Sequence, residues 1–384
     1  MQKRNTYYFE TDCMKTKYQP AVYAGKKQHL RAPTAALNWI IHRCTVLKNI
    51  VYYRQHKKLL PILTETEILM AKHKKIAFTV IGVICASLIG LGAFLIIRHM
   101  QENTFHFTVN DTLPDGAGQK ATVILLGGQS NASGCSRDDY LQKNVSKEKY
   151  AEYANGYDNV YINYLSGPKM SNGFVKCTTL QGELDGCFGP ELGMAEKLHA
   201  LYPDETFFII KCAWGGTNLF DQWRSPSSSG KTGTLYKQFA SYVETSIRYL
   251  ESKNYDIKIE AMCWMQGESD SFSTENATNY ETHLTNFIKD IRKKFARYAS
   301  SDGIAFIDAY IADNPVYWVY CALVNQSKQA VADASAMNTV INTVAEGLSC
   351  AEEPKDAPDL AHYDSISQIK LGHLFAEKAA KFFD

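Results

Sequence analysis

Ala121-Thr-Val-Ile-Leu-Leu126 runs straight into Gly127-Gly128-Gln129-Ser130-Asn131, and this junction decides the fold. An apolar, partly β-branched run of the length of a buried strand is cut by two glycines, and then by a serine suited to open a helix. The same grammar recurs downstream. Thr206–Ala213 (TFFIIKCA) ends in Trp214-Gly215-Gly216-Thr217, and Ile257–Trp264 (IKIEAMCW) ends in Met265-Gln266-Gly267-Glu268-Ser269-Asp270. Gly303–Ile307 (GIAFI) is a fourth apolar run. Between these lie helical patterns: Leu235, Phe239, Val243, Ile247 and Leu250, then Tyr280, Leu284, Phe287, Ile288, Ile291 and Phe295, spaced to share one face. Strands apolar throughout, alternating with amphipathic helices, predict an α/β domain with a parallel sheet over 119–384.

In open α/β sheets, chemistry collects where strands end. Ser130 stands just past the first strand, at a point where backbone N–H groups can face an anion. Gly216 follows the second strand and can bring a bare N–H to a reacting oxygen. Gln266 and Glu268 set an amide and a carboxylate after the third. Near the C-terminus, Asp359-Leu360-Ala361-His362 places a carboxylate three residues before an imidazole. Such a carboxylate can hold one ring nitrogen and leave the other free as a base for a serine nucleophile. Each motif alone also reads as a turn, a helix cap or an exposed histidine. Four in this order, three of them directly after apolar strands, are harder to explain as unrelated turns. The G-x-S-x-G elbow is not met, because Ala132 stands where it needs glycine.

The set Gly128-Gln129-Ser130-Asn131, Phe188-Gly189-Pro190-Glu191, Trp214-Gly215-Gly216-Thr217, Trp264-Met265-Gln266-Gly267-Glu268 and Asp359-x-x-His362-Tyr363 resembles the SGNH/GDSL hydrolase superfamily. Within it, the chain is similar to the sialate O-acetylesterase and acetylxylan esterase branch, that of carbohydrate esterase family 6. The Gln-Gly-Glu block is the most discriminating part. The resemblance implies a three-layer, flavodoxin-like fold and hydrolysis of acetyl esters on sugar hydroxyls, with no metal and no cofactor. It implies Ser130 as nucleophile and His362 as base then acid, with Asp359 and Glu268 as rival partners for the histidine. The N–H groups of Ser130 and Gly216 and the Gln266 amide would form the oxyanion hole. Gln129, Asn131, Glu191, Trp214 and Thr217 are the candidate substrate contacts. The stretches Ser133–Asn159 and Ser225–Gly233 are expected to border the cleft, with Trp214 and Trp223 as candidate sugar platforms. A silent glycan-binding ectodomain and an acetyltransferase of the same fold are the alternatives.

Farther out, the chain of 384 residues carries 45% hydrophobic and 21% charged residues, an ordinary globular composition. Its net charge of +1 conceals an asymmetry. Residues 1–75 hold 15 basic against 4 acidic residues, and those beyond 97 hold 26 against 36. Between them, Ile76–Ile97 (IAFTVIGVICASLIGLGAFLII) is 22 residues without a charge. As a helix it would span about 33 Å, enough for a bilayer core of about 30 Å. Lys72, Lys74 and Lys75 precede it, so the expectation is an uncleaved signal anchor with the C-terminal part outside the cytoplasm. Residues 98–118 read as a linker. The basic segment 1–75 is expected to be cytoplasmic or to reflect an over-extended start, with no nucleic-acid partner. Seven cysteines follow the apolar run, an odd number that leaves at least one unpaired within the chain, and Cys177 with Cys187, and Cys321 with Cys350, are the pairings to test.

Overall fold

Strand β1, Lys120–Gly128, lies at the middle of an eight-stranded sheet in the computed structural model, which describes residues 105–383. The basic segment 1–75 and the apolar run 76–97 lie outside the described residues. Among the described residues, no helix is long and apolar enough to cross a membrane.

In chain order the long parallel strands are β1, β3 (Val160–Ser166), β7 (Phe207–Ala213), β8 (Asp256–Met265), β9 (Ala305–Ala309) and β10 (Asn338–Ile341). Their order across the sheet is β10-β9-β8-β1-β7-β3, with the short β4 (Lys169–Met170) and β5 (Val175–Lys176) pairing antiparallel to β3. The separate two-stranded ribbon joins β2 (Ser136–Arg137) to β6 (Cys187–Phe188). Counted along the chain, the parallel strands run 2-3-1-4-5-6, whereas flavodoxin runs 2-1-3-4-5. The expected parallel α/β class holds, but the second strand takes the outer place rather than the seat beside the first. β1 remains a switch point, since the chain builds one half of the sheet on its β7 side and the other on its β8 side.

The strands are buried because both faces are covered. On one face, Thr234–Ser252 buries Tyr236, Phe239, Val243, Ile247 and Leu250, and Thr274–Phe295 buries Tyr280, Leu284, Phe287, Ile291 and Phe295. Phe287 packs at 4.7 Å from the Trp264 ring of β8. On the other face, Phe207 meets Tyr202 and Phe383, and Glu191–Leu201 packs against Ser365–Ala379. Gly193 and Gly372 sit where a Cβ would strike backbone at 2.1–2.2 Å, so those two helices touch main chain to main chain.

Three features depart from the expectations. The stretch expected as a cleft loop at Ser133–Asn159 contains two helices, Asp138–Asn144 and Lys147–Asn155. From Phe105 onward the expected linker lies on the domain: Leu113 is buried, Phe107 stands edge-on to Tyr242 at 5.0 Å, and Thr112 Oγ1 donates to the Phe174 carbonyl. All seven cysteines among the described residues are free. Cys177 donates instead to the Glu191 carbonyl, and Cys321 to Asp313.

Candidate active site

Register sets three loops level at one sheet edge. Gly128 of β1 lies opposite Ala213 of β7 and Met265 of β8, so the residues that follow each strand emerge side by side. Gly128 has φ 138°, and a Cβ there would lie 1.9 Å from the Met265 carbonyl oxygen. Only glycine lets β1 end this close to β8. Gln129 N–H donates to that same carbonyl at 2.9 Å, and Ser130 then opens the short helix Ser130–Ser133. The N–H of a first helical residue has no partner within the helix.

Residue 131 carries the chain to its distant partner. Asn131 Nδ2 donates to the Ala361 carbonyl at 3.1 Å, and Asn131 Oδ1 accepts from Tyr363 N–H at 3.0 Å. The asparagine beside Ser130 therefore grips both neighbours of His362. Locally, Asp359 Oδ1 accepts the Ala361 N–H, and Leu360 takes φ 60°. That turn folds the Asp359 carboxylate back onto the histidine, and Oδ2 meets His362 Nδ1 at 2.7 Å. The left-handed leucine costs about 1–2 kcal/mol.

Glu268 takes a different post. It is buried, Oε1 accepts from Asn131 Nδ2 at 2.8 Å, and Oε2 is buried with no partner. Of the two rival acids, Asp359 holds the imidazole and Glu268 holds the asparagine that grips its loop. Burial pushes the Glu268 carboxyl above its ordinary range, against the pull of Asn131.

Burial alone would lower the His362 pKa, but the Asp359 hydrogen bond, and after it the Cys135 thiol beside the ring, push it up to about 10. Burial would raise Asp359, yet the hydrogen bond and charge of His362 hold its carboxyl below the usual value. Cys135 is partly exposed, and no local pattern marks it as a neighbour of the imidazole. Ser130 is half-buried, and its hydroxyl has no hydrogen-bond partner among the described residues.

On the β7 side, Gly216 is exposed with φ 68°, with nothing within 4 Å of the place a Cβ would occupy. Its N–H, like that of Ser130, has no partner among the described residues, and the two residues follow the ends of adjacent strands. Gln266 does not stand free beside them. It is fully buried, and Nε2 lies 2.6 Å from Asp270 Oδ2, 2.9 Å from the Thr217 carbonyl and 3.2 Å from Gln129 Oε1. Its Oε1 accepts from Tyr280 at 3.0 Å. Both amide protons are thus engaged in tying the three loops together. Asp270 also accepts the Leu219 and Phe220 N–H groups, and burial, opposed by these donors, pushes its carboxyl up to about 6.

The candidate substrate contacts divide. Gln129 is buried at the site, with Oε1 accepting from Gly267 and Ser269 N–H, and Trp214 is partly exposed beside Gly215. Thr217 is buried, donating to the Trp214 carbonyl and accepting from Trp223 Nε1. Trp223 is fully buried against Trp264 at 5.1 Å, so it is no sugar platform. Glu191 also misses the cleft: it is fully buried, 2.7 Å from the equally buried Lys211. A carboxylate after Phe-Gly-Pro reads as a surface loop until the fold closes over it.

Residues 120–381 match the family described as carbohydrate esterase, sialic acid-specific acetylesterase. No curated protein matches the chain. Among solved structures, a protein from Arabidopsis thaliana aligns with TM-score 0.51 at 17% identity, covering 71% of this chain and 100% of its own. NanS aligns with TM-score 0.47 at 14% identity, covering 71% of this chain and 98% of its own. A carbohydrate acetylesterase from Xanthomonas citri gives TM-score 0.44 at 17% identity, covering 68% of this chain and 56% of its own. The Arabidopsis structure shares the fold.

Proposed function

The chain belongs to the sialic acid-specific acetylesterase family of carbohydrate esterases, and on that premise we propose that it removes O-acetyl groups from sugars through an acetyl-serine intermediate, at an outward-facing domain held to a membrane by residues 76–97. The observation that carries the mechanism is the asparagine grip. It puts His362, which Asp359 holds, one residue away on one side of a hydrogen-bonded contact, and Ser130 one residue away on the other.

In this reading Ser130 Oγ attacks the acetyl carbonyl carbon while its proton passes to Nε2 of His362, the ring nitrogen that Asp359 does not hold. The carbonyl oxygen becomes an oxyanion and accepts from the N–H groups of Ser130 and Gly216, donors worth most where charge develops. Collapse breaks the bond to the sugar oxygen, which leaves with the proton from His362. Water, deprotonated by the same imidazole, then attacks the acetyl-serine; the bond to Ser130 Oγ breaks, the serine takes the proton back from His362, and acetate leaves. Asp359 keeps Nδ1 protonated throughout, so that the working nitrogen faces the serine. The anchor rests on the uncharged run of 22 residues and the lysines before it.

Hydrolysis of p-nitrophenyl acetate by the full chain, beside Ser130→Ala, tests the serine. The expected result is a loss of about 10³-fold or more in the variant; equal rates would refute the mechanism. Acetate release from O-acetylated sialic acid against acetylated xylan then separates the two sugar classes.

A further inference from the structure

We propose that Glu183, which no motif marks, is a positioning residue that sets the oxyanion-binding turn against the nucleophile helix; this rests on the serine-esterase reading above. Glu183 lies between β5 and β6 and is buried. One of its oxygens, Oε2, accepts two hydrogen bonds from two different elements: Ser133 Oγ at 2.5 Å and Gly215 N–H at 2.9 Å. Ser133 closes the helical turn that Ser130 opens, and Gly215 immediately precedes Gly216. Its own N–H donates to the Gly134 carbonyl at 2.9 Å, so backbone and side chain both bind the end of the nucleophile helix.

The space around the carboxylate is cleared by glycine. A Cβ on Gly167 would lie 2.6 Å from Glu183 Cγ, and one on Gly215 would lie 2.8 Å from Oε2. With the Gly215 N–H held inward, the next N–H, that of Gly216, is left for the cleft. Glu183 touches no reacting atom. It acts through the direction in which Gly216 points, and a donor displaced by about 1 Å can cost about 10²-fold in rate.

Three versions of the full chain decide this on p-nitrophenyl acetate, with Ser130→Ala as baseline. Glu183→Ala is expected to lower kcat by about 10–10²-fold with KM within about twofold, as the loss of a transition-state donor does. Glu183→Gln is expected to stay within about threefold of wild type, because an amide oxygen in the place of Oε2 has two lone pairs and can accept from both Ser133 Oγ and the Gly215 N–H. Wild-type kcat in a folded Glu183→Ala, or a folded Glu183→Gln as slow as Glu183→Ala, would overturn the proposal and leave the esterase reading standing. Should Glu183→Ala not fold, Glu183→Asp, with its carboxylate drawn back by one methylene, takes its place: a selective fall in kcat supports the strut, and unchanged kcat overturns it. A wild type no faster than Ser130→Ala would overturn the esterase reading and this proposal with it.

Discussion

His362 is the residue on which the proposed chemistry turns, and its protonation sets when the site can work. A general base must be neutral. Burial favours that form, but Asp359 and then Cys135 outweigh it and favour the imidazolium, to about 10. The acid limb of kcat/KM is therefore expected above the ordinary histidine value of about 6.5. Rate should climb as pH rises through this limb, and a pH–rate profile corrected for spontaneous hydrolysis measures its midpoint. Cys135→Ala removes one of the two groups that raise the pKa, so its limb should move to lower pH with the plateau retained. A limb that stays in place would show that the thiol does not bear on the base. The Asp359–His362 pair was legible as a spacing of three, because both partners lie in one turn. Cys135 was not, because it reaches the ring from the start of the ribbon strand β2, far away in sequence.

At the scale of elements, the apolar runs, their glycine ends and the two long amphipathic helices could be read directly. β3, Val160–Ser166, could not, since Asn163 and two half-buried tyrosines break its apolar run. Asn163 belongs there because its Nδ2 donates to Ser246 Oγ and its Oδ1 accepts from the Tyr242 hydroxyl, both on the helix Thr234–Ser252, contacts that local pattern does not carry. Glu191 shows the reverse error: a residue expected to contact substrate is the first residue of the helix Glu191–Leu201, sealed against Lys211. Glu191→Gln leaves the Lys211 cation buried without its counter-charge, with only the Gln181 carbonyl and an amide beside it, and breaking such a pair typically costs about 3–5 kcal/mol. A markedly lower thermal midpoint with unchanged KM is expected. A raised KM at unchanged stability would return Glu191 to the cleft.

For the whole molecule, the charge division along the chain leads to a test of location. If residues 76–97 anchor the protein, the full chain should sediment with membranes through an alkaline carbonate wash. Protease added from the extracytoplasmic side should reach the esterase domain. Deleting 76–97 should release active enzyme, whereas a full chain found wholly in the soluble fraction would refute the anchor. What the sequence determined unaided is local: strand and helix periods, glycine ends, the serine after the first strand, and an acid and a histidine within one turn. What only the tertiary structure decided is partnership: Asp359 rather than Glu268 on the imidazole, Gln266 locked inside, Glu183 joining two loops. The physical reason is reach. Period and turn chemistry act over a few neighbouring residues, whereas Asn131 meets Glu268 137 positions away and Ala361 230 positions away, through the register of the sheet and the closing of helices over it.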